Sequence, residues 1–236
     1  EEQMKVGRKL ANKLLNVTKF VLGIGEAGDA WTVTDPVDAA MLAQLDTVIA
    51  EATAAFDGFD YARALERTEA FFWWFCDDYV ELVKGRAYGS RGTEPAASAR
   101  LALRTALDAL QRLFAPILPF AVEEAWSWWH DGSVHAADWP SATHDVATSG
   151  MAAGPDAPPT DLGIVCEVLG RVRRAKTEAK LSQRSAARRV SVGVPAAQLA
   201  AIESGRADLV EAGTIETLDV HAADALEVVV ELADAG

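Results

Sequence analysis

The sequence predicts a mainly α-helical protein: a helical bundle followed by a basic helix and a small α/β unit. Through the first 140 residues, apolar side chains recur at spacings of three and four, which is typical of helices with one buried face. Residues 141–161 are rich in Pro, Gly, Ala, Ser and Thr, which indicates a linker. Beyond residue 188 short segments alternate between apolar and polar residues, as strands do. We therefore predict a bundle over 1–140, a linker over 141–161 and a second domain over 162–236.

The first helix of the bundle is predicted from about Gln3 to Leu22. Gly23 follows it and is suited to end a helix. One apolar stripe runs along this helix, and its members are Val6, Leu10, Leu14, Val17 and Val21. The stripe predicts which face of the helix lies against the rest of the bundle.

Capping and turn residues bound the other predicted elements. Asp35 followed by Pro36 is a typical helix start, and Asp57-Gly58 interrupts the pattern. The further bundle helices are predicted at about Asp35–Phe56, Asp60–Lys84, Pro95–Phe114 and Phe120–Trp129. The second domain is predicted as a basic helix over Leu162–Ala187, a strand over Arg189–Val194, one or two helices over Ala196–Gly213, and strands over Thr214–Val220 and Leu226–Leu232.

Bulk composition excludes several classes of protein. No run of 18 apolar residues occurs, so we expect no membrane span. The two cysteines, Cys76 and Cys166, lie far apart, which argues against a disulfide framework and favours the cytoplasm. The chain starts with polar residues and without Met, so we expect it to be part of a longer protein.

The net charge of −13 hides two basic segments. Residues 5–20 carry five bases and no acid, and residues 171–189 carry eight bases and one acid. Residues 190–236 carry nine acids and one base. The distribution therefore leaves room for a nucleic-acid partner that the net charge alone argues against.

The segment Phe71–Lys84, Phe-Phe-Trp-Trp-Phe-Cys-Asp-Asp-Tyr-Val-Glu-Leu-Val-Lys, concentrates aromatic and acidic residues on one predicted helix. It resembles a helix in the anticodon-binding bundle of valyl-tRNA synthetases, which belong to the class I aminoacyl-tRNA synthetases. A second segment, Gly7–Leu22, is similar to the first bundle helix of that family, with Lys19 in place of an arginine. Phe59–Ala62 also agrees with this family, and elements shared with isoleucyl and leucyl relatives follow within Phe114–Trp126 and Ser133–Pro140.

The resemblance implies a tRNA-recognition function. It covers residues 4–140 well, residues 171–180 more loosely, and later residues by pattern only. Class I synthetases activate amino acids with two signatures, His-(aliphatic)-Gly-His and Lys-Met-Ser-Lys-Ser, and neither occurs in this chain. The resemblance thus implies the C-terminal part of a valine–tRNA ligase, non-catalytic by itself and without a cofactor. ATP and Mg²⁺ would serve the full-length enzyme, and the partners would be tRNA(Val) and the N-terminal catalytic domain of the same chain.

Candidate RNA-binding residues lie on the predicted first helix, and they are Lys9, Asn12, Lys13, Asn16 and Phe20. Single-stranded bases are recognised by aromatic stacking, amide hydrogen bonds and charge neutralisation, and this helix supplies all three. The family resemblance implies that Lys13 and Phe20 contact the anticodon. The alternative is that Phe20 packs under the following loop and that the lysines only form a solvated face.

Arg174 and Lys180 in the second basic segment are candidate contacts to RNA phosphates. The alternative is that this segment pairs with the acidic C-terminal unit. We predict packing roles for the aromatic run and for Trp126, Trp128, Trp129 and Trp139, and we predict no metal site. Two rivals to the leading interpretation remain: the equivalent region of an isoleucyl-tRNA synthetase, and a helical interaction module with no RNA role.

Overall fold

The computed structural model describes residues 2–26, 28, 31–141 and 161–233. Contacts divide the chain into two compact units. The first comprises Glu1–Cys76 and Thr93–Ala152, and the second comprises Asp77–Gly92 and Ala153–Gly236. Residues 77–92, which the sequence assigned to the bundle, thus pack with the second unit. The predicted linker falls almost entirely outside the described residues.

Eight α-helices and three strands follow one another in the described parts of the chain. The helices are α1 (Glu2–Gly23), α2 (Pro36–Asp57), α3 (Tyr61–Trp74), α4 (Val80–Ala87), α5 (Thr93–Phe114), α6 (Pro119–Trp126), α7 (Asp161–Glu178) and α8 (Leu199–Ala212). The strands are β1 (Ala187–Val194), β2 (Leu218–Ala222) and β3 (Glu227–Leu232). A π-helical stretch, Phe75–Tyr79, joins α3 to α4. The mainly α class with a small α/β unit is confirmed, as is the predicted order β-α-β-β.

The stripe predicted on α1 is buried in the first unit. Leu14 and Val21 have no exposed surface, and Leu10 and Val17 are at most 6% exposed. This face packs against α5 and α6. Burying four large aliphatic side chains contributes roughly 1.5–3 kcal/mol each, which explains why the stripe fixes the rotation of the helix.

The composition of helix α2 alone does not tell whether the helix packs inside a protein or crosses a membrane. Of the helices in the described ranges, it is long and apolar enough to cross a membrane by length and composition. It begins with the predicted cap, because the Asp35 side chain accepts a hydrogen bond from the Val37 amide at 2.9 Å. It packs against α3 and α5, and buried Asp38 accepts a hydrogen bond from Ser98 on α5 at 2.7 Å. Its apolar and acidic side chains therefore serve a helix–helix interface in the first unit.

Three helices end in a left-handed residue that is not glycine. Phe59, Lys180 and Thr214 have φ angles of 60°, 56° and 48°. In each case two backbone amides close the end; after α7, for example, Lys180 N donates to Thr177 O and Leu181 N donates to Lys176 O. After α2 and α8 a glycine one residue earlier, Gly58 or Gly213, still marks the end in the sequence, whereas no glycine lies near the end of α7.

The end of α7 corrects the predicted basic helix. The sequence predicted a helix to Ala187, but α7 ends at Glu178 and strand β1 begins at Ala187. The left-handed Lys180 turns the chain out of the helical path, and residues 181–186 form a loop that folds back on α7. The Gln183 side chain anchors this loop by donating to Arg173 O and Thr177 Oγ1, both at 3.1 Å.

The second unit holds a three-stranded sheet in the order β2-β1-β3. Strand β1 is parallel to β2 and antiparallel to β3. Val190, Val192 and Val194 of β1 are fully buried, and α7 and α8 pack against the sheet. Where α8 crosses α7, a Cβ at Gly205 would come within 2.6 Å of Val165 Cγ1, so only glycine permits this approach.

A buried ion pair joins α4 to α8 in the second unit. The Arg86 guanidinium donates from Nε to Asp208 Oδ1 at 3.0 Å and from Nη2 to Oδ2 at 3.1 Å. Their side chains are 0% and 2% exposed. Arg91 adds a second cation 3.3 Å from Asp208 Oδ1. Removing one partner of such a pair costs roughly 3–5 kcal/mol, because the other charge is left buried and unpaired.

Candidate nucleic-acid interface

One face of α1 carries all five of the candidate residues predicted on that helix. Lys9, Asn12 and Asn16 are exposed, whereas Lys13 and Phe20 are half-buried. At about 100° per residue, positions 9, 13, 16 and 20 fall within about 60° of one another around the helix. Their mean direction lies about 100° from that of the buried stripe, so packing of the stripe leaves this side of α1 wholly or partly exposed to solvent. Exposed Lys5 and Lys19 extend the basic character of the same side. We refer to Lys5, Lys9, Asn12, Lys13, Asn16, Lys19 and Phe20 as the α1 face.

Two indole rings flank the α1 face. The Lys13 ammonium lies 6.0 Å from the centre of the Trp73 ring, and the Lys19 ammonium lies 5.5 Å from the Trp128 ring. Both tryptophans are half-buried. The negative face of an indole attracts a cation, at about 0.5–1 kcal/mol for exposed pairs, and it also stacks on nucleobases. The rings therefore hold two lysines in place beside the phenylalanine.

Each of these indoles is fixed by a glutamate one turn earlier on its own segment. Trp73 Nε1 donates to Glu69 Oε1 at 3.0 Å, and Trp128 Nε1 donates to Glu124 Oε1 at 3.0 Å. A ring whose N–H is already engaged keeps its orientation, so the cation–ring contacts need little further ordering.

A polar chain behind α1 fixes its register against α5. Buried Thr18 donates to Leu14 O at 2.9 Å and accepts from Gln111 Nε2 at 3.2 Å. Gln111 Oε1 in turn accepts from Trp129 Nε1 at 3.0 Å. Since Thr18 and Gln111 have no exposed surface, breaking this chain would leave buried polar groups without partners. The chain thus sets the position along the bundle at which the α1 face appears.

Sequence reasoning missed the role of Trp73 and Trp128. Both were assigned to packing, and the run around Trp73 does contribute Phe72, Phe75 and Tyr79 to the interior with no exposed surface. A tryptophan is amphipathic, so a pattern of spacing does not tell whether it lies wholly inside or at the rim. The one signal in the sequence was a glutamate four residues before each of the two tryptophans.

The second basic segment lies in the second unit, where Arg174 is exposed on α7 and Lys180 is exposed just after its end. Three other arginines of the segment have acidic partners. Arg171 Nε lies 2.9 Å from Glu167 Oε1, Arg173 Nη2 lies 3.4 Å from Glu81 Oε2, and Arg189 Nε lies 2.6 Å from Asp219 Oδ2.

Asp78 and Cys166, both in the second unit, have shifted pKa values because they are buried. Burial, with Asp77 nearby, raises the pKa of Asp78. Burial raises the pKa of the Cys166 thiol to about 12, which keeps it protonated and unreactive near neutral pH. In the described parts of the chain, no three His, Cys, Asp or Glu side chains are grouped as metal ligands would be.

Comparisons with known proteins identify relatives of this chain. A family model described as the anticodon-binding domain of tRNA ligase matches residues 38–191. A valine–tRNA ligase of Thermobifida fusca (strain YX) is 51% identical over 240 residues, which cover 100% of this chain and 26% of that protein. Valine–tRNA ligases of Leifsonia xyli subsp. xyli and Cutibacterium acnes are 51% and 48% identical, each over 92% of this chain and 24% of theirs.

The extent of these matches differs between the two kinds of comparison. The family model begins after α1, whereas the alignment with the Thermobifida protein covers the whole chain and so includes the α1 face. The chain spans about a quarter of the length of the curated relatives it matches.

Proposed function

Because this chain belongs to the family of the anticodon-binding domain of tRNA ligases, and its relatives are valine–tRNA ligases, we propose that it recognises the anticodon of tRNA(Val). The resemblance found in the sequence is thereby confirmed at the level of the family. What remains to be argued is which side chains recognise the RNA.

The α1 face carries this proposal. It combines one aromatic ring, two amides and four lysines on a helix held by a buried stripe and a polar chain. Phe20 stacks on an anticodon base, which is worth roughly 1–3 kcal/mol. Lys13 and the amides of Asn12 and Asn16 contact base edges, and Lys9 neutralises the backbone.

The test measures binding of the 236-residue chain to two anticodon stem-loops that differ in one base. Valine anticodons end in adenine then cytosine, and isoleucine anticodons end in adenine then uracil. We expect about 5- to 150-fold tighter binding to the valine stem-loop, as base-edge contacts worth roughly 1–3 kcal/mol give. The Lys13→Gln, Phe20→Ala double variant serves as the control and is expected to lose that preference.

Each rival makes a different prediction for the same measurement. Preference for the isoleucine stem-loop would support an isoleucyl relative instead. Absence of any salt-dependent affinity for either RNA would support a helical interaction module and would overturn the proposal.

The ligase reaction itself we assign to parts of the protein that these 236 residues do not contain. ATP, Mg²⁺ and valine would bind there, because both activation signatures are absent from this sequence. The partners in this proposal are tRNA(Val) and that catalytic domain, and the setting is the cytoplasm, which suits two cysteines in the thiol form. Valine-dependent exchange of pyrophosphate into ATP by the purified chain would contradict this assignment.

A further inference from the structure

The basic segment over residues 171–189 divides into two halves by the partners of its cations. The paired half consists of Arg171, Arg173, Lys176 and Arg189, each bound to a carboxylate or to backbone carbonyls. The other half consists of Arg174, Lys180, Arg184 and Arg188, all exposed. Within the described ranges, none of these four forms an ion pair or a side-chain hydrogen bond. We refer to these four as the open cations.

Paired and open cations occur side by side, so the acidic surroundings alone do not explain the division. Arg173 is paired and Arg174 is open; Arg189 is paired and Arg188 is open. The second unit carries nine acids after residue 189, and among the described residues only Asp208 and Glu203 of these form ion pairs with arginines outside the segment. Open cations in an acidic unit therefore keep their charge available to a partner outside the unit.

Two of the open cations, Lys180 and Arg188, lie at irregular positions of the backbone. Lys180 occupies the left-handed position that ends α7. Arg188 lies at an irregularity of the β1–β3 ladder between Ala187 and Arg189, where one residue drops out of the pairing. Such a bulge leaves its extra residue outside the ladder pairing, and Arg188 is exposed there. Both residues thus interrupt regular secondary structure, and both side chains are exposed to solvent.

A buried lysine holds the intervening loop in one shape. Lys176 is 1% exposed, and its ammonium donates to Gln183 O at 3.1 Å and to Gly213 O at 2.6 Å. Gln183 in turn donates from its side chain to Arg173 O and Thr177 Oγ1. The loop that carries Lys180 and Arg184 is thus tied at Gln183 to the last turns of α7 and to the end of α8.

We propose that the open cations form a second RNA contact, which binds phosphates of the tRNA backbone and whose shape is set by the buried ammonium of Lys176. The proposal rests on the proposed function only in that the ligand is tRNA. It assigns affinity without sequence preference to this surface, because phosphate contacts carry no base information. Anticodon preference stays with the α1 face.

The negative end of the α7 dipole explains the charge of Lys180 but not that of every open cation. Cations near the C-terminus of α7 interact favourably with its dipole, which accounts for Lys180. Arg188 lies in a strand bulge, where no helix end is available as a reason for its charge. Three arginines and a lysine without acidic partners therefore need a further explanation, and a polyanion supplies it.

The experiment compares two quadruple variants of the whole chain that change the net charge equally. One replaces the open cations (Arg174→Gln, Lys180→Gln, Arg184→Gln, Arg188→Gln). The matched control replaces four paired arginines of the same unit (Arg171→Gln, Arg173→Gln, Arg189→Gln, Arg206→Gln), of which Arg206 pairs with Glu203 at 2.7 Å. Binding to valine and isoleucine tRNAs is measured from 50 to 200 mM salt, with thermal unfolding as a check on folding.

Each phosphate contact adds about 0.7–0.9 to the slope of log affinity against log salt. Loss of four contacts flattens the slope by about 3, so affinity falls about 50- to 150-fold less across this salt range than in the wild type. The paired-arginine control is expected to keep the wild-type slope and to unfold at lower temperature. Both variants are expected to keep the wild-type ratio between the two tRNAs.

Two results overturn the proposal: equal flattening by both variants, which indicates a general charge effect, and flattening by neither. If the wild type does not distinguish the two tRNAs, the proposed anticodon function fails, but the comparison of slopes still decides this proposal. Lys176→Met keeps all four open cations and removes the anchor. It is expected to speed hydrogen exchange in residues 179–186 and to flatten the slope partly; an unchanged slope with a mobile loop would show that the anchor plays no part.

Discussion

The α1 face and the open cations show how two basic segments of one chain differ once they are folded. On α1, two lysines lie against indole rings, and the same face carries amides and a phenylalanine. In the second segment, half of the cations are paired, and the open half consists of three arginines and one lysine. The neighbours of a cation, rather than its charge, thus decide whether it is suited to recognise a base or to hold a phosphate.

The largest effect on RNA binding is expected from a change in the α1 face. Phe20→Ala removes the proposed stacking ring, and we expect about 5- to 150-fold weaker binding of the valine stem-loop, from a loss of roughly 1–3 kcal/mol. Phe120→Ala is the matched control, because Phe120 is 89% exposed in the same unit and lies outside the α1 face. Equal losses in both variants would show that Phe20 contributes no specific stack.

Removing one charge from each surface tests whether the α1 face and the open cations have different roles. Arg184→Gln removes a proposed phosphate contact and is expected to lower the salt slope by about 0.7–0.9, whereas Lys13→Gln removes a proposed base contact and is expected to change the slope less. Lys13→Gln is also expected to reduce the preference for the valine over the isoleucine stem-loop by about tenfold, since it removes a base-edge contact. A reduced preference after Arg184→Gln would contradict the division of roles.

The indole rings are expected to contribute less. Trp128→Leu removes the ring beneath Lys19, and we expect about 2- to 5-fold weaker RNA binding, from roughly 0.5–1 kcal/mol. Trp128→Phe retains an aromatic face and is expected to restore most of that loss. A double-mutant cycle with Lys19→Gln measures the coupling directly, and additive losses would show that the ring and the ammonium act independently.

The smallest effect concerns pH and the unit that carries α1. His130 stacks on Trp126 with ring centres 3.7 Å apart, and burial, together with Arg112 and Arg104, lowers its pKa from 6.5. Although Asp108 Oδ1 lies 3.2 Å from Nε2, burial and the two arginines outweigh it.

Because the unfolded chain binds this proton more readily, the contribution of His130 to stability is complete above about pH 6.5 and is lost as pH falls below that value. His130→Phe is therefore expected to show a shallower loss of stability between about pH 6.5 and 5 in urea unfolding. Parallel curves for the variant and the wild type would contradict this account.

The elements defined by local pattern were predicted well. The stripe on α1 gave the helix and its rotation, and Asp35-Pro36 gave the start of α2. The end of α7 was harder, because Lys180 adopts the left-handed conformation for which glycine is the usual signal. For the basic helix this produced an error of nine residues, from Glu178 to Ala187.

The site was predictable only where its residues share one helix. Lys9, Asn12, Lys13, Asn16 and Phe20 recur with the period of a helix, so their common face follows from geometry alone. Trp73 and Trp128 join that face from other segments, and no spacing in the sequence relates them to α1. The division of the second basic segment depends on acids from other segments, such as Asp219 for Arg189, and is equally invisible without the fold.

The buried pair between Arg86 and Asp208 has a consequence for the order in which the chain takes shape during synthesis. The two residues are 122 positions apart, so a ribosome that adds about 5–20 residues per second makes Arg86 roughly 6–24 s before its partner. Throughout that interval α4 has an arginine that it cannot bury without a large penalty. We therefore expect α4 to stay solvated and unpacked while α5, α6 and α7 emerge, so the second unit cannot be completed before α8 has been made.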